Sequence, residues 1–272
     1  MINWNDGKGT VTAAGKTLEW ASWGTPEAGR PVIVMLHEGL GCVALWRDFP
    51  ARVAKATGCA VFAYSRAGYG QSDAADLPFP VDYMTREAVT VLPDVLNALG
   101  AERIVLLGHS DGATISAEYA GRVEDFRVRG LILMAPHFFT EDMGLAEIAR
   151  ATEAFATTDL PQKMAKYHRD PAATFRGWNE AWLNPDFKRW HVGDVIDYIR
   201  VPALVIQGKQ DQYGTLAQVA EVETRSYAPV ETLILDDCRH APHVDQPDAV
   251  LSAIAGFTER LIAHEAAMPE GA

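Results

Sequence analysis

Short runs of consecutive apolar residues, many of them β-branched, recur along this chain with helical stretches between them. PVIVML (31–36), CAVFAYS (59–65), RIVLLG (103–108), GLILMAP (130–136), PALVIQG (202–208) and VETLILD (230–236) read as strands buried on both faces. KTLEWASWG (16–24) reads as a further strand ahead of them. The intervening segments WRDFPARVAKATG (46–58), MTREAVTVLPDVLNALG (84–100) and GATISAEYAGRV (112–123) read as helices, the second of them closing on Gly100. Strands that alternate with helices make a mostly parallel sheet covered on both sides.

The rhythm breaks once. From Thr140 to Tyr198 there is no buried run, only helical pattern carrying Trp178, Trp182 and Trp190. That is too long for a crossover and too patterned for a loop. It is expected to be a helical lobe (140–198) inserted into a core made of 1–139 and 199–263. The end of the chain, HEAAMPEGA (264–272), is polar and small and is expected to fray.

The chain has 272 residues, 48% hydrophobic and 22% charged, enough for one large α/β domain. A net charge of −12 leaves no basic surface to neutralise phosphates, so nucleic acid is not an expected partner. No run is long and apolar enough to span a membrane, and the start, MINWNDGKGT, lacks the pattern of a signal peptide. Cys42, Cys59 and Cys238 are too few for a disulfide framework and lack zinc spacing, which fits a reducing compartment. A cytoplasmic location is the expectation.

One segment carries chemistry. Gly108-His109-Ser110-Asp111-Gly112 follows a buried strand and precedes a helix, the setting of a nucleophile elbow. The glycines keep β-carbons away from neighbouring strands and helices, and the turn lifts the serine oxygen above the sheet edge. The next N–H, that of Asp111, sits at a helix N-terminus, where negative charge is favoured.

A nucleophilic serine needs a base, and the base needs an acid to orient it. LVIQGKQDQYGT carries Asp211 just beyond one strand, and TLILDDCRHAPH carries His240 beyond the last. Both lie past carboxyl ends of strands, where open parallel sheets bind ligands. His243 is a rival base, but His240 is nearer the strand end and His243 already enters the next helix. Asp236 and Asp237 are rival acids, but they sit only a few residues before His240 and suit turn contacts. His37 and His109 suit structural hydrogen bonds. No carboxylate or cysteine stands at metal-ligand spacing to His240 and His243, so no metal is expected.

The order Ser110, Asp211, His240 and the segments LHEGLG, YSRAGYGQSD, GHSDGA, GKQDQYG and CRHAPHVDQP resemble the α/β-hydrolase fold enzymes over nearly the whole chain. The resemblance implies a mostly parallel eight-stranded sheet with helices on both faces and a helical cap after strand six. It implies hydrolysis of carboxylic ester or related acyl bonds through a Ser-His-Asp triad, without a cofactor, on a small-molecule substrate. It places the oxyanion donors at Gly39, two residues beyond His37, and at Asp111, with Leu40 as the lesser alternative to Gly39. The state of assembly is left open between monomer and homodimer.

Two departures stand out. The family's His-Gly at the oxyanion loop is His37-Glu38 here, and its Gly-His at the base is Arg239-His240. Glu38 brings a carboxylate close to the oxyanion loop. Arg239 either faces solvent or meets an acidic substrate at the cleft mouth. Arg66 and Asp73 are read as holding their loop. His137, Phe138, Trp178, Trp182 and Tyr213, with Phe139 and Trp190, either wall an apolar acyl pocket or pack the lobe onto the core. Two other readings keep the same fold: C–C bond hydrolysis of the meta-cleavage type, and a ligand receptor with a slow triad. A dehalogenase would need aspartate where Ser110 stands.

Overall fold

In a computed structural model, which describes residues 1–267, eight strands form one sheet in the order β1-β2-β4-β3-β5-β6-β7-β8. The strands are β1 (Lys8–Ala13), β2 (Lys16–Trp23), β3 (Val32–Leu36), β4 (Val61–Tyr64), β5 (Ile104–His109), β6 (Val128–Met134), β7 (Ala203–Gly208) and β8 (Val230–Leu235). Both pairings of β2 are antiparallel and the other five are parallel. β1 is the strand that no apolar run announced. It is an edge strand, and its first residues, Lys8, Gly9 and Thr10, are exposed.

The helices are α1 (Phe49–Thr57), α2 (Tyr83–Arg86), α3 (Leu92–Leu99), α4 (Asp111–Arg122), α5 (Asp142–Thr157), α6 (Leu160–Met164), α7 (Pro171–Trp182), α8 (Ala217–Arg225), α9 (Pro242–Asp245) and α10 (Pro247–Ala267). Strand β3 shows how they cover the sheet. Ile33 and Met35 pack with Phe49 and Val53 of α1 and with Ile254 and Phe257 of α10. Val34 and Leu36 join the opposite core with Leu92 and Leu96 of α3 and Ile115 of α4. Burying such a side chain fully contributes about 1.5–3 kcal/mol. Both faces are dry, as continuous apolar runs require.

The helix expected over 84–100 is interrupted. A π-helical turn (Glu87–Val91) joins α2 to α3, and Leu92 N–H reaches back to the Glu87 carbonyl. Pro93, at the start of α3, has no N–H to continue an α-helical ladder, so the register shifts there. The helix ends on Gly100 at φ 66°, a left-handed cap.

Between β6 and β7 the chain holds α5, α6 and α7, followed by 3-10 turns at Pro185–Arg189 and Gly193–Tyr198. Its neck is pinned by Val192 N–H to Phe138 O at 2.7 Å and Thr140 N–H to Trp190 O at 3.3 Å. The last turn lies against α4, where a β-carbon at Gly121 would overlap the Val195 carbonyl.

At the C-terminus the expectation of fraying from 264 is corrected. α10 continues to Ala267, because Glu265 is held by Arg103 at 3.1 Å and Arg129 at 3.4 Å. Residues 268–272 lie outside the described residues. The three cysteines are free and buried. No helix among the described residues is long and apolar enough to cross a membrane.

Candidate active site

Ser110 stands between β5 and α4 with φ 53° and ψ −118°, a conformation that a non-glycine residue enters only at a cost. Its N–H is tied to Met134 O at 2.9 Å. The flanking glycines are required by contact. A β-carbon at Gly108 would overlap the Gly112 carbonyl, and one at Gly112 would overlap the Leu36 carbonyl.

The other two side chains arrive from the ends of β7 and β8. Gln210 N–H donates to Cys238 O at 2.9 Å, and Gln210 Oε1 accepts from Cys238 N–H at 3.0 Å, lacing the two loops together. Gly208 has no room for a β-carbon beneath the carbonyls of Cys238 and Arg239. These contacts bring His240 to Ser110 with Nε2 at 2.9 Å from Oγ. On the far side of the ring, Nδ1 lies 2.8 Å from Asp211 Oδ2 and 3.0 Å from Oδ1.

Asp211 is itself fixed. Oδ1 accepts the N–H groups of Tyr213 at 2.8 Å and Gly214 at 3.3 Å, and Oδ2 accepts Gln207 Nε2 at 2.8 Å. Burial pushes the carboxyl upward, but the charge and hydrogen bond of His240 and the Tyr213 N–H outweigh it and hold it at about 2. The group is therefore a carboxylate at neutral pH.

The remaining histidines separate cleanly. His243 does not reach Ser110 or Asp211; its ring packs 5.1 Å from those of Trp46 and Phe49. Burial, then the charge of His109, lowers it to about 3. His109 donates from Nε2 to the backbone carbonyl of His240 at 2.7 Å. Burial opposes charge on His109, but the Glu38 carboxylate 3.7 Å from Nδ1 raises its pKa overall. His37 donates from Nδ1 to Glu38 O at 2.7 Å and accepts Arg66 N–H at 3.1 Å, and burial keeps it neutral.

A cleft opens over Ser110. Leu40, Ile148, Trp178, Trp182 and Tyr213 supply apolar wall, and Gly39, Asp111, His137 and His240 reach it from the core. Trp178 covers Gly39 so closely that a β-carbon there would strike the indole. Ile148 and Gly144 of α5 complete the wall, a contribution that the tryptophans alone did not disclose.

Phe138 is corrected. It does not line the cleft but lies wholly in the core, while its neighbour His137, beyond the end of β6, takes the cleft side. Trp190 likewise packs inward, its ring 5.1 Å from that of Phe187. Arg239 is exposed and off the cleft, its N–H bound to Asp245 Oδ2 at 2.8 Å. Asp236 pairs with Lys209 at 2.7 Å, and Asp73 caps the Thr17 N–H at 2.7 Å.

Sequence reasoning missed His168. It reaches in from the segment between α6 and α7 and donates from Nε2 to Leu40 O at 3.0 Å while accepting Gly70 N–H at 3.0 Å. It also missed the buried partnership of Arg66 with Asp111 at 3.5 Å and the hydrogen bond from Tyr83 Oη to Asp111 Oδ2 at 2.5 Å.

A family model described as the alpha/beta hydrolase family matches residues 33–253. A non-heme chloroperoxidase of Streptomyces lividans is 26% identical over 242 residues, 78% of this chain and 85% of that protein. Among solved structures, an esterase of Exiguobacterium antarcticum superposes with a TM-score of 0.73 at 17% identity, covering 92% of this chain and 98% of that one. The enol-lactonase of Burkholderia xenovorans LB400 superposes with a TM-score of 0.72 at 20% identity, covering 92% and 100%.

Proposed function

The chain belongs to the alpha/beta hydrolase family, and from that premise we propose that it cleaves carboxylic ester or related acyl bonds with Ser110 as nucleophile. One observation carries the reading: a single unbroken line from Ser110 Oγ through His240 to Asp211, with steps of 2.9 and 2.8 Å. In this reading His240 Nε2 takes the serine proton as Oγ attacks the acyl carbon. Asp211 holds Nδ1–H and stabilises the imidazolium. The tetrahedral oxyanion is met by the N–H groups of Gly39 and Asp111, which donate to no acceptor among the described residues. His240 then returns the proton to the leaving alcohol, and water attacks the acyl-enzyme by the same route.

The apolar wall favours an uncharged acyl group. Glu38, Asp111 and Glu141 are the ionisable acids on the cleft, and no lysine or arginine joins them. With Arg239 turned away, an acidic acyl chain has no cation to meet it. The test is turnover of p-nitrophenyl esters of increasing acyl length by native protein and by Ser110→Ala. Hydrolysis that saturates and is lost in Ser110→Ala is expected. Equal hydrolysis by both proteins, or none by native protein on any ester, would reject the reading.

A further inference from the structure

We propose that Arg66 is a positioning residue that sets the oxyanion hole through both of its donors at once, an inference that rests on the hydrolase reading above. The Glu38 carbonyl and the Gly39 N–H belong to one peptide unit. That unit is trans, since Leu77–Pro78 is the cis bond among the described residues. In a planar trans unit the oxygen and the hydrogen point to opposite sides, so fixing one fixes the other.

The Glu38 oxygen is fixed by three donors: His37 Nδ1 at 2.7 Å, Arg66 Nη2 at 3.0 Å and Gly41 N–H at 3.1 Å. Arg66 is the permanently charged one. A charged donor on a carbonyl polarises the whole amide and makes its N–H a better donor on the other side. The same Nη2 lies 3.5 Å from Oδ2 of Asp111, the residue that carries the second N–H. One guanidinium thus joins the Glu38 loop to the start of α4, which the sequence separates by more than seventy residues.

Arg66 does not line the cleft, so it acts through these neighbours and not by touching substrate. It is 4% exposed and rests 4.8 Å from the centre of the Tyr69 ring, which restricts where the guanidinium can go. As a device for stability alone the arrangement is poor. Nε and Nη1 are buried without an acceptor among the described residues, and Oδ1 of Asp111 is buried without a donor. Unpaired buried polar groups are a cost, and buried ion pairs often add little net stability. Orientation of the two N–H groups is what the pair supplies.

The variant that separates orientation from charge is Arg66→Lys, which keeps a cation but loses the planar fork. Native and variant protein are compared by kcat and KM on p-nitrophenyl butyrate and by inhibition with phenylboronic acid, which forms an anionic tetrahedral adduct on a reactive serine. The expected result is a roughly 10- to 100-fold loss in kcat, part of the loss seen when a whole oxyanion donor is removed. KM should stay within about threefold, and boronate affinity should weaken by the same factor as kcat/KM. If Arg66→Lys does not fold, the uncharged pair Arg66→Met/Asp111→Asn takes the same test. A folded variant with native kcat and native boronate affinity overturns the role of Arg66, as does a loss confined to KM. An inactive native protein in the same assay instead overturns the hydrolase reading beneath it.

Discussion

Oδ2 of Asp211 lies 2.8 Å from Nδ1 of His240, while the same oxygen receives Gln207 Nε2 at 2.8 Å. Gln207 therefore holds the carboxylate in place without competing for the imidazole. Asp211→Asn keeps this shape but removes the charge, and its amide can hold the ring in the wrong tautomer. The loss in kcat should be roughly 10³- to 10⁴-fold, or about 4 to 5.5 kcal/mol of transition-state stabilisation. KM should change little, because the carboxylate faces the ring and not the substrate. Steady-state kinetics on a folded variant check this, and activity within tenfold of native would remove Asp211 from the role.

The two histidines three positions apart should respond very differently. His240→Ala should lose about three or more orders of magnitude in kcat, since in the proposed mechanism it removes the proton carrier. His243 sits against Trp46 and Phe49 away from Ser110, so His243→Phe should retain most activity. The pair is compared at matched folding, judged by circular dichroism. A reversed ranking would transfer the base to His243.

Acid should destabilise the fold in a defined window. His137 is held at about 3 by burial, reinforced by the charge of His240, against an ordinary value of 6.5. Between those values the unfolded chain binds a proton that the folded ring refuses, so stability falls as pH falls from 6.5 towards 3. His243, also at about 3, acts in the same sense. His109 acts oppositely. Its raised pKa gives stability that is present below 6.5 and lost as pH rises through the folded value. Urea midpoints measured from pH 8 to 4 should therefore pass through a maximum and fall on the acid side. His137→Phe should flatten the acid slope by up to about 1.4 kcal/mol per pH unit. An unchanged slope would show that His137 is not held neutral.

What the sequence disclosed followed from how far each signal reaches along the chain. Strands β3 to β7 were legible because each is a run of apolar residues buried on both faces, whereas β8, expected to be buried in the same way, is a half-exposed edge strand in which only Leu235 is buried. β1 was not legible, because Lys8, Gly9 and Thr10 lie on an exposed edge and leave no apolar signature. That Ser110, Asp211 and His240 lie together was legible because each follows the carboxyl end of a parallel strand, and those ends share one edge of the sheet. The pairing of Arg66 with Asp111 and the contact of His168 with Leu40 O were hidden, since they join distant loops and depend on side-chain direction. The same limit misplaced Phe138. Its neighbour His137 faces the cleft, and a composition of aromatics does not say which of two adjacent residues points inward.

The central claim is that Ser110 is a nucleophile raised by its turn and activated by His240. Labelling the intact native protein with a fluorophosphonate and mapping the adduct by peptide mass spectrometry tests it most directly. A covalent phosphonate on Ser110, absent after treatment of His240→Ala for the same time, is the result this account predicts. Label on Ser65, Ser72 or Ser116 in place of Ser110, or no label on folded native protein, would contradict it.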